Sequence, residues 1–98
     1  MKNDKIITHV ELLVNPAFIS EVLVNAAAVR DIILLEEGCE AFNLTRKKDE
    51  PNTLVIFAIY ASKGTYDWHL EQDYIKTFFG YLNGKLLAPP TVTYLEEV

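Results

Sequence analysis

The sequence predicts an α+β domain with two helical regions packed on one face of a four-stranded antiparallel sheet. Three observations predict it. Strand-like alternation with a period of two appears near both ends and twice in the middle. Two intervening stretches repeat their apolar residues at three- and four-residue steps. Asn, Pro and Gly mark the places where one period gives way to the other. Read along the chain, the order is β-α-β-β-α-β.

From Lys5 to Val14, Ile6, Thr8, Val10, Leu12 and Val14 alternate with Ile7, His9, Glu11 and Leu13, the pattern of a strand. Asn15-Pro16 then starts a helix, because the Asn side chain accepts a bond from an orphan amide and Pro has no amide to leave unpaired. Phe18, Val22, Ala26, Val29 and Ile33 form the apolar stripe of a helix over Pro16 to Leu35, leaving Ser20, Glu21, Asn25 and Arg30 on its wetter side. Gly38 is expected to end this helix as a residue that tolerates positive φ. Cys39 to Lys47 reads as a second strand with Phe42 and Leu44 on one side and Asn43 and Thr45 on the other.

After the polar connector Lys47 to Asn52, the strand Thr53 to Ala61 is apolar on both alternating sets. Leu54, Ile56, Ala58 and Tyr60 occupy one face, and Val55, Phe57 and Ile59 the other, as in a strand covered on both sides. Ser62 to Thr65 opens a second helical region, whose stripe of Ile75, Phe78, Phe79, Leu82 and Leu86 is interrupted by a break near Gln72 and Asp73. Pro89-Pro90 ends it, and Thr91 to Glu97 supplies the last strand.

This is the split βαβ, or ferredoxin-like, plan, in which right-handed crossovers put both helical regions on the same face of the sheet. The opposite face carries Val55, Phe57 and Ile59 without helical cover, and an apolar face of that kind is expected to meet a second copy of the chain across a two-fold axis. A length of 98 residues supports one domain, 1–98. Folding at this size hides only about 60 to 65% of the surface that the unfolded chain exposes, which also favours a homodimer. Nine Lys and Arg against fourteen Asp and Glu leave a net charge of -5, which disfavours nucleic acid and anionic membranes as partners. The segment Met1 to Asp4 runs into a strand broken by Thr8, His9 and Glu11, with no export signal or membrane span visible, so the cytoplasm is the expected compartment. One cysteine and two histidines without paired spacing make neither an intramolecular disulfide nor a convincing metal site. No glycine-rich phosphate loop or dinucleotide fingerprint is present, and no cofactor is expected.

Several segments, in register over most of the chain, carry a resemblance. They are Val10-Glu11-Leu12 before Asn15-Pro16, Glu36-Glu37-Gly38-Cys39, Phe42-Asn43-Leu44, Asn52, Ile59-Tyr60, His69-Leu70 and Pro89-Pro90. The sequence resembles the antibiotic biosynthesis monooxygenase family of dimeric α+β barrel proteins. That resemblance implies a superfamily of cofactor-free oxygenases of polycyclic or quinol substrates, an isomerase of a phosphorylated signalling sugar, heme-degrading oxygenases and members without known activity. The chain departs from the pattern in three places. Ala58-Ile59-Tyr60 stands where many relatives read Glu-x-Trp, removing a carboxylate and an indole. Tyr74 stands where a second histidine often follows His69. Phe79 occupies the place of the axial histidine of heme-degrading relatives, and Tyr60 that of their tryptophan, so the comparison disfavours heme.

His69 is the candidate general acid or base, since imidazole titrates near neutral pH and its position matches the family's. It could equally sit on the helix surface or bond a neighbouring loop. Tyr60 joins it as the second candidate catalytic residue. Tyr66, Trp68, Tyr74 and Phe78 are candidate pocket walls for a flat aromatic or quinol-like molecule, with plain core packing as the alternative. Asn43 is a candidate hydrogen-bond partner for a substrate oxygen. His9 and Cys39 are read as structural. The expected function is cofactor-independent oxygenation of a quinol or hydroxylated aromatic. Its competitors are a non-catalytic binding or vestigial member of the fold, and an isomerase of a small phosphorylated dione, for which Arg46 and Lys76 are the few cations at hand.

Overall fold

Strand β1 (Ile6–Leu13) occupies an inner position of the sheet, paired antiparallel with β3 (Thr53–Tyr60) on one side and with β4 (Thr91–Leu95) on the other. Strand β2 (Cys39–Arg46) pairs with the far side of β3, giving the order β2-β3-β1-β4. The computed structural model describes residues 4–98, so the reading of Met1 to Asn3 lies outside the described residues. Helix α1 is Ile19–Ile33, and the second helical region divides into α2 (Lys63–Leu70) and α3 (Asp73–Leu82). The break falls at Glu71 and Gln72, as the loss of periodicity predicts. Among the described residues, no helix is long and apolar enough to cross a membrane.

Local chemistry accounts for the boundaries. The Asn15 side chain accepts a hydrogen bond from the Ala17 amide at 2.9 Å, and Pro16 leads a single 3-10 turn, Pro16–Phe18, before the α-helix proper. The expected uniform helix from Pro16 therefore begins more tightly wound, as helix ends often do. At α2, Ser62 accepts from the Thr65 amide while the Thr65 hydroxyl accepts from the Ser62 amide, a reciprocal cap that fixes the helix start. Gly84 alone among the glycines has positive φ, at 81°. Gly38 does not, which corrects the expected reason for glycine there. A Cβ at Gly38 would lie 2.3 Å from the Cβ of Thr65, so this position needs glycine for close approach.

The alternating registers separate two faces. Thr8, Val10 and Leu12 stand opposite Ala58, Ile56 and Leu54 on the face covered by helices. Leu12, Val14, Val22, Ala26, Leu54, Phe78 and Leu82 form the core there. Burying a side chain of this size contributes about 1.5–3 kcal/mol. On the opposite face Val55, Phe57 and Ile59 are half-buried within the single chain, beside His9, Glu11 and Asn43. The expectation that helices leave this face of β3 uncovered matches the structure.

Candidate functional site

Three elements bring the site together. Tyr60 ends β3 on the helix-facing side, two residues beyond Ala58, by the alternation of the strand. His69 lies in the last turn of α2, whose start is fixed by the Ser62 cap. Glu36 lies in the turn between α1 and β2, where its amide bonds the Ile33 carbonyl at 2.9 Å. The close approach of Gly38 to Thr65 presses that turn onto α2 and brings the Glu36 carboxylate to the imidazole.

His69 is only 5% exposed and Glu36 9%, so the pair is withdrawn from solvent. Nδ1 of His69 lies 2.9 Å from each carboxylate oxygen of Glu36. The Tyr60 hydroxyl lies 3.1 Å from Nε2. An ionised carboxylate only accepts, so Nδ1–H donates to Glu36, and in the neutral ring Nε2 is left to accept from the Tyr60 O–H. Tyr74 donates to the same carboxylate at 2.5 Å. The result is a continuous chain from Tyr60 through His69 to Glu36, with Tyr74 as a second donor at the far end.

Burial, followed by the nearby Cys39 and Glu36, pushes the Tyr60 phenol well above the usual tyrosine range. Tyr60 therefore keeps its proton at working pH and acts as a donor, never as a resident phenolate. Partial burial and the bond to Glu36 also raise Tyr74. Burial, then the neighbouring Glu36, raises the Cys39 thiol, which disfavours the thiolate and agrees with a packing role.

The chain of hydrogen bonds opens on a cavity of about 140 Å³ between the sheet and the helices. Its polar lining is Thr8, Tyr60, Tyr66 and His69, and the remaining walls are apolar, Phe78 among them. Tyr66 packs 5.1 Å from Tyr60 between ring centres and shares a hydrogen bond of 3.0 Å with Tyr94 on β4. The arrangement can take a proton from a group at Tyr60 and carry its charge toward Glu36 without exposing either to water.

Of the residues singled out from sequence, His69, Tyr60, Tyr66 and Phe78 line this cavity. Tyr74 does not, and instead holds the carboxylate from outside the cavity. Two further expectations need correction. Asn43 is exposed and faces away, because Phe42 and Leu44 on the same strand line the cavity and successive side chains alternate. Trp68 is 53% exposed and borders a separate surface cleft, because it immediately precedes the inward-facing His69 on the short helix. His69 itself is buried, so its alternative placement at the helix surface does not hold, whereas the alternative of a bond to a neighbouring loop is met by Glu36. Arg46 is exposed and bonds the Pro51 carbonyl, and Lys76 is also exposed; neither lines the cavity. That leaves the phosphorylated-dione reading without a cation at the site. Glu36 is the member of this hydrogen-bond chain that sequence reasoning missed. Its signal was its place beside Gly38 in a segment already singled out for the family resemblance.

A ferredoxin-like sheet carrying a mostly apolar pocket with a buried Tyr-His-Glu chain defines the class of small α+β domains to which this protein belongs. Residues 5–81 match the antibiotic biosynthesis monooxygenase family, and the chain is a member of it. A solved structure from Nitrosomonas europaea, named for the same family, has 14% identity and a TM-score of 0.93 over 100% of this chain and 94% of its own. A conserved protein from Methanosarcina mazei has 20% identity and a TM-score of 0.91, with 98% of this chain and 95% of that one covered. A third, from Caulobacter crescentus and also named for the family, has 27% identity and a TM-score of 0.82 over 98% of this chain and 92% of its own. A search of curated proteins finds no match.

Proposed function

We propose that this single domain, 1–98, is a cofactor-free monooxygenase of a quinol or hydroxylated aromatic molecule, with His69 as the proton acceptor, Tyr60 as the group that touches the substrate and Glu36 as a positioning residue. The observation that carries the reading is the hydrogen-bond chain from Tyr60 to His69 to Glu36, ending at an apolar cavity. A substrate hydroxyl donates to the Tyr60 oxygen as Tyr60 passes its own proton to Nε2. Tyr60 stays neutral throughout, and the imidazolium that forms is balanced by Glu36. The deprotonated, electron-rich ring then reduces dioxygen. One oxygen atom replaces hydrogen on a ring carbon as a carbonyl, the other leaves as water, and a hydroxyarene plus dioxygen becomes a quinone plus water. All the electrons come from the substrate, so no reductant enters.

The domain's contribution is desolvation, orientation and the base. Oxygen uptake with hydroquinone and with naphthol tests the reading. His69→Ala should lower the rate by about 10² to 10⁴ fold, the usual share of a general base. Glu36→Gln keeps an acceptor for Nδ1–H and removes the charge, and should lower the rate without abolishing binding. Equal slow uptake by wild type and His69→Ala would reject the oxygenase reading and leave a non-catalytic binding domain in its place. The partner proposed for the bare sheet face is a second copy of the chain.

A further inference from the structure

We infer that the cavity selects a single aromatic ring: its ligand is an uncharged phenol or hydroquinone, held with one hydroxyl at the Tyr60 end. The inference rests on the cavity being the substrate site, and narrows the substrate to one ring. Three observations carry it. The first is size, since about 140 Å³ is close to the roughly 150 Å³ of an apolar protein cavity known to hold one benzene. A second fused ring would either displace packed walls, which resist even a methylene, or project past Phe79 toward solvent, where it gains little burial.

The second observation is polarity, which is confined to one end. Thr8 pairs with Ala58, and Tyr60 lies two residues further along on the same face, so both residues lie toward the end of the cavity that His69 occupies. Thr8 is 4% exposed and lines the cavity. The Tyr60 oxygen, while donating to His69, keeps lone pairs for an incoming O–H. One ligand hydroxyl can thus donate to the Tyr60 oxygen.

The third is charge. Among the described residues, no Lys, Arg, Asp or Glu lines the cavity, so a phosphate or carboxylate on the ligand would be buried without a partner. Leu70, Phe79 and Val92, each at least 40% exposed, form the part of the wall nearest solvent, and Phe79 is the ring that bounds the cavity on that side.

Calorimetric titration under argon tests the inference separately from catalysis, with hydroquinone, naphthol, anthrol and hydroxybenzoate as probes. Hydroquinone should bind at least about tenfold more tightly than naphthol, equivalent to about 1.4 kcal/mol, and anthrol and hydroxybenzoate should not bind measurably. Phe79→Ala removes a half-exposed wall and should let naphthol bind about as well as hydroquinone. Filling the cavity with Ala58→Leu should abolish hydroquinone binding, and Phe79→Ala keeps the test valid if that variant fails to fold. Equal or tighter binding of anthrol would overturn the one-ring limit while leaving the oxygenase reading intact. Binding of hydroquinone with no oxygen uptake would uphold the ligand class and reject the oxygenase. Absence of binding by every probe would overturn both.

Discussion

Nδ1 of His69 lies 2.9 Å from both carboxylate oxygens of Glu36, a residue 33 positions earlier in the chain. Neither side chain is at the surface, and no buried side-chain nitrogen or oxygen among the described residues lacks a partner. The pair therefore fixes which ring nitrogen faces Tyr60. It also ties the α1–β2 turn to α2, so the site and the packing of two elements depend on the same bond.

That dual role gives the first prediction. His69→Ala removes a partner from both Glu36 and Tyr60 inside the domain, and a buried polar group left unmatched costs about 1–3 kcal/mol. Urea unfolding of the variant should show a loss in that range with an unchanged slope. Stability equal to wild type would mean that water reaches the pair freely.

The tyrosines give the second. A phenol whose folded value lies above its unfolded one holds its proton when the unfolded chain has already lost its own. The stability it contributes is fully present below the ordinary tyrosine value of 10.0 and is lost as the pH climbs from there toward the raised folded value. Burial first, and then neighbouring charge, raises Tyr60 in this way. The urea midpoint of wild type should fall between about pH 9 and about pH 11, and Tyr60→Phe should fall less steeply. Parallel curves for the two proteins would contradict the burial argument for Tyr60.

The sheet and helices were legible because their residues alternate or repeat against a single buried face: Leu54, Ile56, Ala58 and Tyr60 are inside as the period of two requires. His69 and Tyr60 were singled out by residue type and family position, and the structure places them 3.1 Å apart on one cavity. Glu36 was not read as their partner, because a carboxylate in a turn between a helix and a strand has no periodic signature. Its bond to His69 arises only when two distant segments meet. Asn43 failed for the opposite reason. Its residue type suited a substrate contact, but the alternation that places Phe42 and Leu44 inside also directs Asn43 outward.

Gly38 supplies the third prediction. Its backbone conformation is open to any residue, and the constraint is contact, with a built Cβ 2.3 Å from Thr65 Cβ and 2.6 Å from its Cγ2. Gly38→Ala must move the turn that carries Glu36 or the start of α2, and overpacking of this kind costs about 1–3 kcal/mol. Thr65→Ser in the same chain takes away the methyl and keeps the hydroxyl of the cap, so it should restore part of the loss. An alanine variant as stable as wild type, with the imidazole resonances of His69 unshifted by NMR, would show that the approach is loose.

The last prediction concerns the bare face of the sheet. Phe57 lies at its centre, opposite His9 on one neighbouring strand and Asn43 on the other, with Val55 and Ile59 on the same side. Each of these apolar side chains gains further stabilisation only if something outside the chain covers it, and a two-fold related copy brings the same surface to itself. Sedimentation of the wild type at micromolar concentration should therefore report a dimer. Phe57→Lys puts a cation at the middle of that face on both copies at once, and burying two unpaired ammonium groups is far more costly than leaving them in water. The variant should sediment as a monomer while keeping the helical circular dichroism of the wild type, because Phe57 points away from the core under the helices. Hydroquinone binding should also survive, since the cavity lies on the other side of the sheet. A wild-type monomer at that concentration, or a variant that remains dimeric, would remove the sheet face as the site of self-association.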